Sequence, residues 1–190
     1  MPTKKKNNDY MIYFYGILFI ILFLIVLQFD SKILEVIIGL RNNILDKAML
    51  MITSNNMQIA LLLLASGIVY LKNKKKLLHL WLSVAISIML SILLKIIIAR
   101  QRPLIEGIST ISNLIKESYL TWDFSFPSNH TAFVFAMLLF MPKKWFWFWL
   151  IIAIIIAFSR VYLGLHYLSD VIAGAFLGLF VSHLIIKKIK

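Results

Sequence analysis

The sequence predicts an all-α membrane protein, a bundle of six transmembrane helices with both termini in the cytoplasm. Three observations lead there. Hydrophobic residues make up 61% of the 190 positions, well above the roughly half found in soluble domains. Apolar segments recur at about 11–28, 56–71, 77–98, 131–141, 145–163 and 171–186, most of them near the ~20 residues that cross a bilayer core. Lysines cluster at Lys4–Lys6, at Lys72 with Lys74–Lys76, at Lys143 with Lys144, and at Lys187, Lys188 and Lys190. Six crossings put all four clusters on one side, which the positive-inside rule assigns to the cytoplasm. The other side receives every acidic residue except Asp9, together with Arg41, Arg100, Arg102 and Arg160.

The first segment follows Lys4–Lys6 as a secretory signal would, but its apolar run is too long and no small-residue cleavage site lies near Gln28. It is expected to stay as an anchor. Residues 30–50 set Ile33, Leu34, Ile37, Ile38 and Leu40 against Lys32, Glu35 and Arg41. That pattern fits an amphipathic helix on the outer surface and, equally well, a plain connector. The 131–141 segment is short, and reaches bilayer length only if its helix starts near Ser128. Residues 104–126 form the longest outer loop. Trp145, Trp147 and Trp149 follow Lys143 and Lys144 as an interfacial aromatic belt would. In the last segment Gly174 and Gly178 form a small-xxx-small pair, suited to close helix packing. No repeat or linker divides the chain, so one domain over 1–190 is expected.

Cysteine is absent, which excludes disulfides, thiolate metal sites and thiol nucleophiles. The net charge of +12 resides mostly in the interfacial lysines and therefore points to the lipid bilayer as partner, with no nucleic acid.

Ionisable residues at the ends of membrane helices are costly, and are functional candidates when they face the bundle interior. Here Lys95, Arg100 and Arg102 end the third segment, His130 opens the fourth, Arg160 closes the fifth, and His166 with Asp170 opens the sixth. All lie at one level, near the outer surface. Alone, Lys95 can snorkel, Arg160 can anchor a helix end on lipid phosphate, and His130 can be an ordinary helix-end residue. Independent anchoring does not explain two histidines and an aspartate beside three cations. His79 and His183 lie near the cytoplasmic side without such company and are taken as structural.

The chemistry this set suits is phosphoryl transfer. Lys95, Arg102 and Arg160 offer the charge and donors that match phosphate oxygens. No carboxylate cluster offers a magnesium site, so the cations would stand in for a metal, and no cofactor is expected. His166 and Asp170 are four apart, so the carboxylate can hold one ring nitrogen and leave the other as nucleophile. His130 is then free to act as general acid. In "FPSNHTAF", residues 126–133, Pro127 ends the loop and Ser128 or Asn129 can cap the helix, aiming backbone N–H groups at an anion.

These residues resemble the type 2 phosphatidic acid phosphatase (PAP2) family. The family's pattern has three parts. A lysine, six residues and Arg-Pro match Lys95, "IIIARQ", Arg102 and Pro103. Pro-Ser-Gly-His matches Pro127, Ser128, Asn129 and His130 with one departure. Ser-Arg, five residues, His, three residues and Asp match Ser159, Arg160, "VYLGL", His166, "YLS" and Asp170. The motif core thus runs from 95 to 170. The resemblance implies a helical bundle in which Lys95, Arg102, Ser128, Arg160 and the backbone at Asn129 bind phosphate. It implies attack by His166, orientation of that ring by Asp170, and protonation of the leaving oxygen by His130, without metal. Asn129 replaces the family's glycine, and asparagine is the next best residue if the position needs a positive φ.

The expected substrate is a membrane lipid phosphate met at the outer face of the cell membrane. Undecaprenyl diphosphate is favoured, because Arg100 adds a cation suited to a second phosphate and the small size and "FPSNHT" are similar to bacterial undecaprenyl diphosphate phosphatases. Otherwise Arg100 is a solvated loop arginine. Phosphatidylglycerophosphate, phosphatidic acid and a lipid A phosphate are the other candidates. A lipid phosphotransferase, a haloperoxidase and a non-catalytic phospholipid-binding or transport protein are the competing readings, the last leaving His166 and Asp170 unexplained.

Overall fold

Local capping chemistry sets several helix boundaries. In the computed structural model, which describes residues 3–103 and 123–189, no strand occurs among the described residues. The helices are α1 (Thr3–Ile38), α2 (Asn43–Ile52), α3 (Asn55–Lys72), a 3-10 turn (Lys74–Lys76), α4 (Leu77–Ile98), α5 (Asn129–Leu138), α6 (Lys143–Tyr162) and α7 (Leu168–Ile189). Asn42 caps α2 by accepting from the Ile44 and Leu45 amides, and Ser54 caps α3 by accepting from Met57. At the start of α7 the Asp170 carboxylate reaches back to the Tyr167 amide, 2.9 Å away, as the acid of a capping box does. α4 ends on Ala99, whose φ of 50° is left-handed. A left-handed alanine costs roughly 1 kcal/mol, and it turns the chain so that Arg100 and Arg102 meet the helices behind them.

Helices α3, α4, α6 and α7 coincide with four expected segments. They present exposed apolar side chains such as Leu63, Ile97, Ile151 and Phe176, the surface of a multi-pass protein embedded in lipid. Among the described residues three helices can cross a membrane by length and composition, Lys74–Ile98, Lys143–Tyr162 and Leu168–Lys188, or four if α2 and α3, bent by 47°, count as one span.

Elsewhere the structure differs from expectation. α1 does not end near Gln28. It continues to Ile38 because Asp30, which looks like a helix-ending polar residue, is buried and bonded to Ser169 and Arg100. The expected unit at 30–50 is therefore two pieces, the last turns of α1 and the separate helix α2. None of the α2 side chains is buried, yet both flanks are pinned to the end of α6. The Asn42 amide donates to the Tyr162 hydroxyl at 3.1 Å, and Arg160 donates to Thr53 at 2.9 Å.

The helix of the fourth segment starts beside Ser128 as expected, but ends at Leu138. Its ten residues rise only ~15 Å, half of a ~30 Å hydrocarbon core. Thr131 to Leu138 are all buried, because α5 runs inside the bundle against α4, α6 and, most extensively, α7. Gly174 and Gly178 permit that last contact. A Cβ on Gly178 would stand 2.4 Å from the Ala132 carbonyl oxygen, and one on Gly174 would stand 2.5 Å from that of Ser128. Trp145 and Trp147 are exposed as belt residues should be, but Trp149 is in the core. The helix turns its third tryptophan inward, into the buried core. Of the expected loop at 104–126, residues 104–122 lie outside the described residues.

Candidate functional site

The end of α6 closes in a tight turn. Leu165 and His166 amides both donate to the Arg160 carbonyl, at 3.0 and 3.2 Å, around Gly164, whose φ is 67°. That left-handed position suits glycine. The turn ties His166 back to the end of α6, and α7 starts two residues further on.

The His166 ring is held from one side. Its Nδ1 lies 3.5 Å from Asp170 Oδ2 and 3.4 Å from Ser125 Oγ, and Ser125 donates to the same Asp170 oxygen. Nε2 points the other way and lies 3.2 Å from Arg102 Nη1. The imidazole is 1% exposed. Burial, and then the charges of Arg102, Arg160 and Lys95, hold its pKa well below the ordinary histidine value. The ring is neutral at pH 7, with the lone pair of one nitrogen available for attack.

Arg102 meets that nitrogen, and its other bonds fix it there. Arg102 donates from Nη1 to the Leu165 carbonyl at 2.8 Å, from Nε to the Asp123 carbonyl at 2.7 Å, and from Nη2 to the Asp123 carboxylate at 2.9 Å. Lys95, buried on the last turn of α4, donates to the Phe124 carbonyl. His130 meets the backbone of Thr53, and the charges of Arg160, Arg102 and Lys95 act on it. The structure therefore gathers Lys95, Arg102, His130, Arg160, His166 and Asp170 at one end of the bundle.

Ser128, Asn129 and Arg100 are placed differently from expectation. Ser128 occupies the N-cap position of α5, but its side chain makes no capping bond. Its hydroxyl accepts instead from Thr131 at 3.1 Å, and its amide donates to the Asp170 carbonyl at 3.0 Å. The first-turn amides of α5 are thus not taken up by Ser128 and can serve an anion. Asn129 is helical, and Ala99 is the non-glycine residue with positive φ among those described. Asparagine therefore carries no backbone strain here, and its side-chain oxygen accepts from Ser91 on α4.

Arg100 is neither a solvated loop arginine nor an open second phosphate ligand. It donates to Asp170 Oδ1 and Asp30 Oδ2, each at 2.9 Å, and to Ser169 Oγ at 2.7 Å. Its guanidinium also lies 4.0 Å from the Tyr167 ring centroid. Two buried carboxylates need a cation between them, and Arg100 supplies it.

Asp30, Ser125, Asp123 and Thr53 are the polar contacts of this site that sequence reasoning missed. Asp30 had a usable signal, an acid in an apolar helix. The others are single polar residues with no pattern around them. Among the described residues no three His, Cys, Asp or Glu side chains converge as a metal site would require.

Known proteins share this fold and part of this sequence. The chain is 33% identical over 128 residues to an undecaprenyl-diphosphatase of Sulfolobus acidocaldarius, an alignment that covers 63% of this chain and 58% of that protein's length. It is 28% identical over 165 residues to the undecaprenyl-diphosphatase BcrC of Bacillus subtilis, covering 83% of each. Its fold is similar to the crystal structure of a transmembrane PAP2 type phosphatidylglycerolphosphate phosphatase from Bacillus subtilis, with a TM-score of 0.69 at 24% identity over 92% of this chain and 96% of the other. The PAP2 superfamily model matches residues 76–190. That match takes in all three motif parts and every helix that carries them, so the chain belongs to the PAP2 superfamily.

Proposed function

We propose that this protein is a lipid phosphate phosphatase that removes a terminal phosphate through a phosphohistidine, with undecaprenyl diphosphate as the favoured substrate. The observation that carries the reading is the two-sided environment of His166. Nδ1 is held against Asp170 and Ser125, and Nε2 faces Arg102. The Nε2 lone pair attacks phosphorus while Lys95, Arg102, Arg160, the Ser128 hydroxyl and the first-turn amide at Asn129 balance the charge on the phosphoryl oxygens. The phosphorus–oxygen bond breaks, its electron pair leaves with the lipid oxygen, and His130 gives that oxygen a proton. Water then attacks phosphorus, returns a proton to His130, and frees inorganic phosphate and neutral His166.

The substrate preference rests on the two relatives named undecaprenyl-diphosphatase. Arg100 no longer supports it, since that side chain is committed to Asp30 and Asp170. Phosphatidylglycerophosphate and phosphatidic acid are the alternatives. Six crossings, both termini in the cytoplasm and a site facing outward from the cell membrane complete the reading, over one domain. Lys72, Lys143 and Lys144 line one groove, so α5 with the turn after it links the site's end to the lysine end. On this reading that stretch serves as the fourth crossing, and the lysines gathered at its far end support a cytoplasmic assignment by the positive-inside rule.

The test is phosphate release by detergent-purified protein in excess EDTA, from the three lipids above and a lipid A phosphate, with His166→Ala alongside. Release that persists in EDTA and disappears in the variant is expected. Release dependent on an added acceptor would indicate a phosphotransferase. No release from folded protein that still binds headgroups would indicate a binding or transport protein.

A further inference from the structure

Asp123 stands where two of the site's cations meet. Its Oδ2 is 2.9 Å from Arg102 Nη2 and its Oδ1 is 3.6 Å from Lys95 Nζ. The backbone carbonyls of Asp123 and Phe124 accept from the same two side chains. The partners differ in burial. The side chains of Lys95 and Arg102 are 8% and 3% exposed, and that of Asp123 is 35% exposed. Buried cations need a counter-charge, whereas a carboxylate this exposed can trade its partners for water at small cost.

We propose that Asp123 sets the charge requirement of the site, as the counter-ion that an incoming phosphate must replace on Lys95 and Arg102. This rests on the reading of those two residues as phosphate ligands. The consequence is selectivity. A phosphodiester carries one negative charge, so exchanging it for Asp123 leaves the local balance unchanged. It also competes with a carboxylate that is tethered to the chain at high effective concentration. A terminal phosphate carries ≈ −1.5 to −2 at pH 7 and three acceptor oxygens, so it gains charge and bonds that Asp123 cannot supply. A bilayer is built largely of phosphodiester lipids, and a site open to it must reject them. Specificity is a difference of affinities, and Asp123 supplies the unfavourable half for the diester.

Asp123→Asn and Asp123→Glu test this. The readouts are titration calorimetry with inorganic phosphate and competition by phosphatidylglycerol in mixed micelles, with thermal unfolding to confirm that each variant is folded. Asparagine should tighten phosphate binding about tenfold, the worth of one charge-assisted contact. It should also make phosphatidylglycerol an inhibitor. Glutamate should keep the wild-type rejection. Weaker phosphate binding in Asp123→Asn would show that the carboxylate only orients Arg102 and would overturn the proposal, as would unchanged rejection of phosphatidylglycerol. Adding Lys95→Ala to Asp123→Asn separates the two readings. If the double variant binds phosphate as tightly as the single one, Lys95 is not a phosphate ligand, and the functional reading falls together with the proposal.

Discussion

The two ends of the bundle use the same residue types in opposite states. At the lysine end, Lys72, Lys74, Lys75, Lys143, Lys144, Lys187 and Lys188 are exposed, and their contacts are with rings and aliphatic walls. Lys74 lies 4.9 Å from the Tyr70 ring centroid and Lys144 lies 5.5 Å from that of Trp145. At the other end Lys95, Arg102 and Arg160 are buried and bonded to carbonyls, hydroxyls and a carboxylate. An exposed lysine keeps its hydration and costs the fold little. A buried cation gives up several kcal/mol of hydration, and the chain recovers that only where the charge is used. Burial, more than residue type, separates anchoring from chemistry in this protein.

The largest effect is expected at a buried cation of the proposed phosphate site. Arg160→Met keeps most of the volume and removes the charge. Loss of a preorganised phosphate donor should lower the rate of phosphate release by about 10²–10³-fold. The same change gives up the bond to Thr53 together with the cost of burying a cation, so thermal stability in detergent should change little. Lys144→Met should change neither quantity. A large fall in unfolding temperature with intact activity would make Arg160 a structural residue and erase the contrast.

The sequence made most of this end legible, because its catalytic parts are local. Lys95 and Arg102 flank one helix end, and His166 and Asp170 are one helical turn apart, so spacing alone predicts their chemistry. The contacts that hold those parts are not local. Ser169 and Asp30 are 139 positions apart, and Asp170 is 45 from Ser125, so no short pattern marks them. Tertiary packing decided the other differences as well. α1 passes Gln28 because Asp30 finds buried partners, α5 stays short because it lies within the bundle, and Trp149 turns inward while Trp147 does not.

Arg100 tests the distant part of the network. Arg100→Gln leaves Asp30 and Asp170 facing each other without a cation, although each keeps other donors, Ser169 for one and Ser125 and Tyr167 for the other. Breaking a buried pair costs about 3–5 kcal/mol, reduced here because Arg100 is 23% exposed. If Arg100 only positions Asp170, kcat should fall about tenfold with KM for the lipid unchanged, and Arg100→Lys should restore part of it. A rise in KM with kcat preserved would instead make Arg100 a ligand for a second phosphate and return weight to a diphosphate on structural grounds.

The smallest effect belongs to the lysine end. Lys143 and Lys144 rim a groove whose walls are Ile68, Leu71, Pro142 and Trp145. Glutamine at both positions keeps much of the aliphatic stem that covers those walls and removes only the charges. Exposed substitutions of this kind usually change stability by less than ~0.5 kcal/mol, so unfolding temperature and phosphate release should both match wild type. In the proposed orientation the charges matter before folding, when they would hold their loop in the cytoplasm. Three other clusters keep the bias, so labelling of a cysteine introduced at Asn73 by an impermeant thiol reagent in intact cells should stay absent. Labelling there would mean that this one pair sets the orientation. A loss of activity would mean that the lysine end communicates with His166, which the division between anchoring and chemistry does not allow.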